Sequence, residues 1–353
     1  MTRVANRSFT AEFEILLART WETQLNVLNR RYLRKTREAI ATIREFYTFK
    51  KRMPSKINYK FQKYRAGYLA SFGQRHAYLP YYQLRDISNN FSSLIPKPTQ
   101  GELTLTLIGG AAAVETFGIL YFFNERTQAI RKLNIINIEK IVEWDEVRSL
   151  YINTLIKDFF RKVNIREFPV RVDLRTQCAI SFAEFHEEIL NTDILMCYNV
   201  LNENEVKDQQ RIIDNLRYIL LLNRKPMLVL LMEPAPSKSI VRVRPFKKYL
   251  ALICRILQDG IKTYVLDSNP LKIEFEPDDT EGLNRKLFER LPGETYNPIF
   301  YSDIKRIAFA AVKKPEEPLS KDAVFSQLKE MRDRQKGHFV RRRNVPQQTN
   351  FWS

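Results

Sequence analysis

The stretch Gly109-Gly110-Ala111-Ala112-Ala113-Val114-Glu115 places small residues between an apolar run and an amphipathic one. Such a turn lets a ligand approach the backbone, and the amino end of the helix that follows, which begins near Glu115, favours an anion or carboxylate. The next apolar run ends in Asn137-Ile138-Glu139. In nucleotide-binding folds a polar or acidic side chain about 20 residues beyond the glycine turn hydrogen-bonds ribose hydroxyls, so Asn137 or Glu139 could serve. A third run ends in Val172-Asp173-Leu174, where Asp173 could reach an adenine amino group, and a fourth continues into Tyr198, Asn199 and Asn202. Tyr198 alternates with Cys197, so a core-facing cysteine turns the tyrosine towards a substrate. Each residue also has a plain structural use, because Gly and Ala serve close packing and Asp or Asn satisfies local backbone groups.

A second set of residues suits a polyanion. Between Phe46 and Arg85 acidic residues nearly vanish, while Lys50, Lys51, Arg52, Lys60, Lys63, Arg65, Arg75 and Arg85 alternate with Tyr47, Phe49, Tyr59, Phe61, Tyr64, Tyr68, Phe72, Tyr78, Tyr81 and Tyr82. Basic side chains neutralise phosphates and aromatic rings stack on unpaired bases. Lys50, Lys51, Arg52, Arg65, Arg75, His76 and Tyr81 are the candidate contacts here. The net charge of +18 is unevenly spread: residues 1–100 carry 19 Lys/Arg against 6 Asp/Glu, residues 101–310 carry 29 of each, and residues 311–353 carry 10 against 5. A neutral centre with a basic leader and a basic tail fits a small-molecule core with additions that hold nucleic acid. The plainer account is a set of solvated helix faces, with most of the aromatics used for packing.

The elements that must position these residues follow from periodicity. Short apolar runs alternate with longer amphipathic stretches from Leu103 onward, the pattern of an α/β fold with a mostly parallel sheet and helices on both faces. Seven strands are expected, at Leu103–Ile108, Leu133–Ile138, Val170–Leu174, Ile194–Tyr198, Met227–Met232, Thr263–Leu266 and Ile307–Val312. Helices fit at Val114–Thr127, Ile141–Lys162, Ser181–Leu190, Asp208–Leu222 and Pro245–Gln258, with a charged helix over Lys321–Arg334. The organisation read from this is a basic, aromatic-rich helical region over 1–100, an α/β core over 101–313, and a basic helix with a flexible tail over 314–353. Within the first region, Phe13, Leu16, Leu17, Trp21, Leu25 and Leu28 recur at helical spacing after Thr10, a candidate cap.

Several classes are disfavoured. The run from Leu103 to Phe123 carries Glu115 near its middle and so is a poor membrane span. Three widely spaced cysteines without a CxxC give neither a disulfide framework nor a metal site. A start without an apolar leader is the reading behind a cytoplasmic location.

Taken together, the Gly109–Glu115 turn, the Asn137/Glu139 strand end, Asp173 and the 193–203 segment resemble the class I S-adenosylmethionine-dependent methyltransferases over some 210 residues. The resemblance implies a seven-stranded, Rossmann-like core with S-adenosylmethionine as cofactor. It also implies Gly109, Gly110, Ala111, Glu115, Asn137, Glu139, Asp173 and Asn199 as cofactor contacts, and Tyr198 beside the transferred methyl. More loosely, 64–70 and 78–82 resemble the lid that precedes the core in the ribosome-associated methyltransferase-like branch. This chain has Ala111 or Ala113 where that family's loop usually has a third glycine. Two functions follow: a methyltransferase acting on nucleic acid, RNA preferred, or a catalytically inactive methyltransferase-like protein that binds nucleic acid within a larger protein assembly.

Overall fold

A computed structural model describes residues 2–4, parts of 9–20, 30–49, 57–90, 92–126, 130–176, 187–198, 200, 204, 206–223 and 225–234, with strand backbones at 261–267, 272–274 and 306–313. The sheet is built from β1 (Glu102–Ile108), β2 (Lys132–Ile138), β3 (Asn164–Val170), β4 (Ile194–Tyr198) and β5 (Met227–Pro234), all parallel. On the backbone, β6 (Ile261–Asp267) and β7 (Arg306–Lys313) extend it, β7 lying antiparallel between β5 and β6, so the order reads β3-β2-β1-β4-β5-β7-β6. The expected α/β architecture holds, and five parallel strands rather than the anticipated seven make up the part in which side chains are described. A separate parallel pairing joins Thr2–Val4 to Lys272–Glu274.

β1, β2 and β4 are buried along nearly their whole length, which is why continuous apolar runs rather than alternation marked them in the sequence. The third strand lies six residues earlier than Val170–Leu174. It occupies the sheet edge, its residues Arg166, Glu167 and Pro169 break any apolar run, and Pro is tolerated there because one side of an edge strand has no ladder to complete. Asp193, which opens the fourth segment, sits at the end of β4 remote from its carboxyl terminus. There it accepts the Thr104 N–H at 2.7 Å and pairs with Lys225 at 2.7 Å, so its role is to join β1 to the start of β4.

The described helices are α1 (Arg30–Phe49), α2 (Gln62–Tyr68), α3 (Gln74–Asn90), α4 (Glu115–Glu125), α5 (Trp144–Thr154) and α6 (Val206–Leu222). A π-helical turn, Leu69–Gly73, joins α2 to α3, and Leu155–Phe159 continues α5 in the same form. The expected helix at Ser181–Leu190 is described only from Glu187, where a 3-10 turn runs to Asn191. The expected helices at Pro245–Gln258 and Lys321–Arg334 lie outside the described residues, as does the tail. Among the described residues no helix is long and apolar enough to cross a membrane.

The leading region shares the core of the sheet domain. Phe9, Phe13, Tyr78 and Tyr81 lie in one apolar cluster with Phe117, Phe122 and the strands. Phe9 stacks on Tyr81 at 5.1 Å and meets Phe117 edge-on at 5.0 Å. Helices α3 and α4 touch so closely that a Cβ on Gly118 would stand 2.0 Å from the Ala77 carbonyl oxygen. Gly118→Ala must therefore push two helices apart and should destabilise the fold by about 3 kcal/mol, the upper end for an overpacked core. A methyl on Gly73 meets nothing nearer than 3.6 Å, so Gly73→Ala should shift stability by less than about 1 kcal/mol. Urea unfolding of the two variants beside the parent chain checks the contrast.

Candidate functional site

The chain runs from β1 outward to β2 and β3, then returns to place β4 on the other side of β1. A crevice opens at such a reversal, beyond the carboxyl ends of the strands. The cleft observed there is lined by Gly109 and Ala111 after β1, Glu139 and Lys140 after β2, Asp173 and Arg175 after β3, and Tyr198 and Val200 at the end of β4. Tyr59 and Tyr68 from the leading region and Trp144 from α5 close one wall. Their rings pack on one another, Tyr59 to Tyr68 at 5.5 Å, Tyr68 to Trp144 at 5.9 Å and Tyr59 to Trp144 at 6.0 Å.

The loop after β1 is wound through left-handed backbone. Gly109 has φ +65°, Ala111 φ 43° and Ala113 φ 56°. Glycine occupies that region freely, whereas an L-residue is held there against a cost of about 1–2 kcal/mol. The cost is met by bonds to both sides of the Ala111 residue. Its N–H donates to Glu139 Oε2 at 3.3 Å, while its carbonyl accepts Asn137 Nδ2 at 3.1 Å and Arg148 Nη1 at 3.4 Å. Tyr151 adds a hydroxyl bond to the Val114 carbonyl at 3.1 Å. Gly109 donates to Ile138 O at 2.8 Å, which continues the β1–β2 ladder into the turn.

These contacts separate the two ribose candidates. Asn137 is 1% exposed and braces the loop from beneath, and Gly110 is needed there because a Cβ would lie 2.5 Å from Asn137 Oδ1. Glu139 is the residue that reaches the cleft. Its Oε1 accepts the Ile141 N–H at 2.9 Å, and its pKa is raised because burial outweighs the backbone donors of Ile141 and Ala111. Across the cleft Asp173 lies three residues beyond β3, where it chelates Arg175, with Nε at 2.8 Å from Oδ1. The Arg175 side chain is the main cause of a lowered Asp173 pKa.

Several expected contacts are placed elsewhere. Glu115 does not face the cleft; it is buried at the start of α4 and pairs with His76 Nδ1 at 3.2 Å, so His76 is a core partner and not a phosphate ligand. Tyr81 is fully buried, its hydroxyl donating to Glu125 at 2.8 Å. Arg65 is buried too and donates to the Tyr59 and Lys60 carbonyls at 2.9 and 2.7 Å, fixing the turn that carries Tyr59 into the cleft. The Arg75 guanidinium lies over the Phe72 ring at 5.6 Å. His76 and Tyr81 are displaced because α3 packs on α4, and Arg65 because it holds its own turn together. Tyr198 does line the cleft, and its hydroxyl donates to Gln83. Lys50, Lys51, Arg52 and Asn199 lie outside the described residues.

Reasoning from sequence missed Arg148, Tyr151, Trp144 and Arg175. Arg148 is 1% exposed, donates to Asp145 at 2.7 Å and forms an ion pair with Glu167, linking the loop, α5 and β3. A charged residue between Val147 and Leu150 on the helix that follows β2 was the available cue.

No protein-family model matches the sequence, and neither does any curated protein. Solved structures do align with it. They include the methyltransferase domain of bacterial CtHen1-C (10% identity, 67% of this chain and 98% of that one, TM-score 0.35) and the CMeT domain of the citrinin polyketide synthase (11%, 82% and 68%, TM-score 0.41). An O-methyltransferase family protein from Burkholderia thailandensis aligns at 10% identity over 88% of this chain and 72% of that one, TM-score 0.39. For EvdMO1 the alignment takes in only 41% of that chain. These likenesses concern the fold, and the reading of the site rests on its own geometry.

If the alanines at positive φ are strained as described, Ala111→Gly and Ala113→Gly should each raise stability by about 0.5–1 kcal/mol, the relief exceeding the added entropy of the unfolded chain. Thermal unfolding of the single and double variants tests this, and a loss of stability in both would show that the loop is not strained there.

Proposed function

We propose that this chain is an S-adenosylmethionine-dependent methyltransferase acting on nucleic acid, with RNA preferred. One observation carries the cofactor assignment: a carboxylate at the end of β2, Glu139, gripped by the N–H of the loop that follows β1. Such an acid is placed to accept ribose hydroxyls, and the fit extends to its surroundings. Gly109 offers bare backbone where a Cβ would stand 3.0 Å from Val200, and the Tyr59, Tyr68 and Trp144 rings provide flat apolar walls for a base.

In this reading Glu139 binds the ribose, Gly109 and Ala111 admit the ligand to the backbone, and the aromatic wall limits water. Tyr198, at the end of β4, stands on the acceptor's side. The bound donor supplies an electrophilic methyl group. The chain's contribution is orientation of donor and acceptor for in-line attack, which needs no strong acid or base. The nucleic-acid assignment rests on the excess of 13 positive charges in residues 1–100 rather than on the aromatics, most of which the core absorbs. Arg175 favours a second reading. It occupies the Asp173 carboxylate that would hold adenine, which suits a nucleic-acid-binding subunit without methyl transfer.

Calorimetry with S-adenosylmethionine decides between them. The methyltransferase reading expects binding, and Glu139→Gln should weaken it at least ~10-fold, the usual loss for a hydrogen bond to a charged acceptor. No binding at millimolar donor, with nucleic-acid binding intact, would sink it. The pH dependence has a definite sign. Ribose hydroxyls donate to ionised Glu139, whose folded pKa is raised, so donor affinity should fall on acidification earlier than for an ordinary glutamate, and Glu139→Gln should abolish that fall. Stability runs the other way. A raised folded pKa means the buried charge costs stability above the unfolded pKa, and protonation restores it as pH falls through the folded value, so lost binding in that window is not unfolding.

A further inference from the structure

Nearly every aromatic residue described in the leading region is packed, and Phe61 is the exception at 57% exposed. It also holds the N-cap position of α2 without any side-chain cap bond, a place where Ser, Thr, Asp or Asn would stabilise the helix. A large apolar ring in water at a position that favours a small polar residue has no structural gain to explain it. Phe61 lies two residues beyond Tyr59, a wall of the cleft, on the turn that Arg65 clamps through the Tyr59 and Lys60 carbonyls. Across the same cleft, Val142 is exposed at 44% directly after the lining residues Lys140 and Ile141.

Cations stand on this side of the molecule: Lys60 and Lys63 lie either side of the ring in sequence, the Lys63 ammonium 5.0 Å from the Tyr64 ring, and Lys140 lines the cleft. Lys60 and Lys140 are exposed and Lys63 is half-buried, and among the described residues none of the three is paired with a carboxylate. Asp173 holds Arg175, Asp145 holds Arg148 and Arg171, and Glu139, next to Lys140 in sequence, accepts the Ala111 and Ile141 N–H groups. Glu146, on the first turn of α5, is exposed. An exposed ring between Lys60 and Lys63 in sequence, two residues beyond a wall of the cleft, suits a strand of phosphates with splayed bases. A duplex offers no free base face to such a ring, and an acidic peptide would use the lysines but gain nothing specific from the phenyl group.

We propose that the mouth of the cleft takes a single-stranded segment of nucleic acid, with an unpaired base stacked on Phe61 and the adjoining phosphates held by Lys60, Lys63 and Lys140. This rests on the function proposed above and narrows it, because it makes the substrate unpaired and gives it a direction of entry past Tyr59. The ring is outside the core, so its removal leaves the fold intact.

The test is fluorescence anisotropy of the full chain with a labelled 12-mer single-stranded RNA, the duplex of the same sequence, and a poly-glutamate peptide as competitor. The single strand should bind more tightly than the duplex, and Phe61→Ala should weaken it about 10-fold, within the range for loss of one stacked base. Phe61→Trp should restore binding, and the triple charge reversal of Lys60, Lys63 and Lys140 to Glu should nearly abolish it and flatten its salt dependence. Equal affinity of Phe61→Ala and the parent chain, duplex binding as tight as single-strand binding, or full competition by poly-glutamate that Phe61→Ala does not alter would each overturn the proposal. Donor calorimetry on the same preparations separates the two claims. Loss of donor binding with a Phe61-dependent RNA affinity defeats only the methyltransferase reading, and intact donor binding with an indifferent Phe61 defeats only this one.

Discussion

The residue on which the site depends is Ala111. Its N–H faces Glu139 and its carbonyl faces Asn137 and Arg148, so the loop after β1 and the acid after β2 have a single shared geometry. A loop with three left-handed residues would otherwise relax into several conformations, since short turns of small residues lose little packing when they move. Arg148 carries this constraint outward. Burying a guanidinium costs several kcal/mol unless its donors are engaged, and here they reach Asp145 on α5, Glu167 on β3 and the loop itself. The desolvation that lowers its pKa is countered first by Asp145. Strand edge, helix and loop are thus fixed by one buried cation.

A second constraint ties the leading region to the same loop. Glu115 begins the helix that the loop leads into, and it meets His76 on α3, whose ring lies 5.8 Å from the Tyr68 ring. Tyr68 in turn forms part of the cleft wall. Displacing α3 would therefore disturb both the start of α4 and the aromatic wall, and the close approach at Gly118 leaves no slack to absorb it. The leading residues act as one side of the site, not as an appendage joined by a linker.

The sheet was legible because parallel strands covered on both faces are written as apolar runs, and β4 was recovered at its observed ends. β3 was displaced because an edge strand needs no such run. The strand-end logic located Gly109, Glu139, Asp173 and Tyr198, all of which line the cleft. It could not distinguish Asn137 from Glu139, because the choice depends on where the Ala111 carbonyl points, and that depends on φ values invisible in composition. His76 and Glu115 were each read as ligands, since nothing in the sequence signals that residues 39 positions apart meet across a helix pair. Arg65, Tyr81 and Arg75 failed for a related reason: an alternation of basic and aromatic residues is shared by a nucleic-acid surface and by a helix packing its rings inward.

That ambiguity bears on how charge and packing divide the work in the leading region. A ring that packs is removed from water and gains burial free energy, about 25 cal/mol per Å² of apolar area. A lysine gains nothing by following it, so packing inward sorts the segment by chemistry. Tyr64, Phe72, Tyr78 and Tyr81 go to the core, while Lys60 stays at the surface and Lys63 keeps its ammonium 5.0 Å from the Tyr64 ring. The result is a surface whose charge is concentrated by the burial of its apolar partners. The positive excess of the sequence thus stays at the surface while its aromatic neighbours are buried, and inside the cleft burial raises the pKa of Glu139.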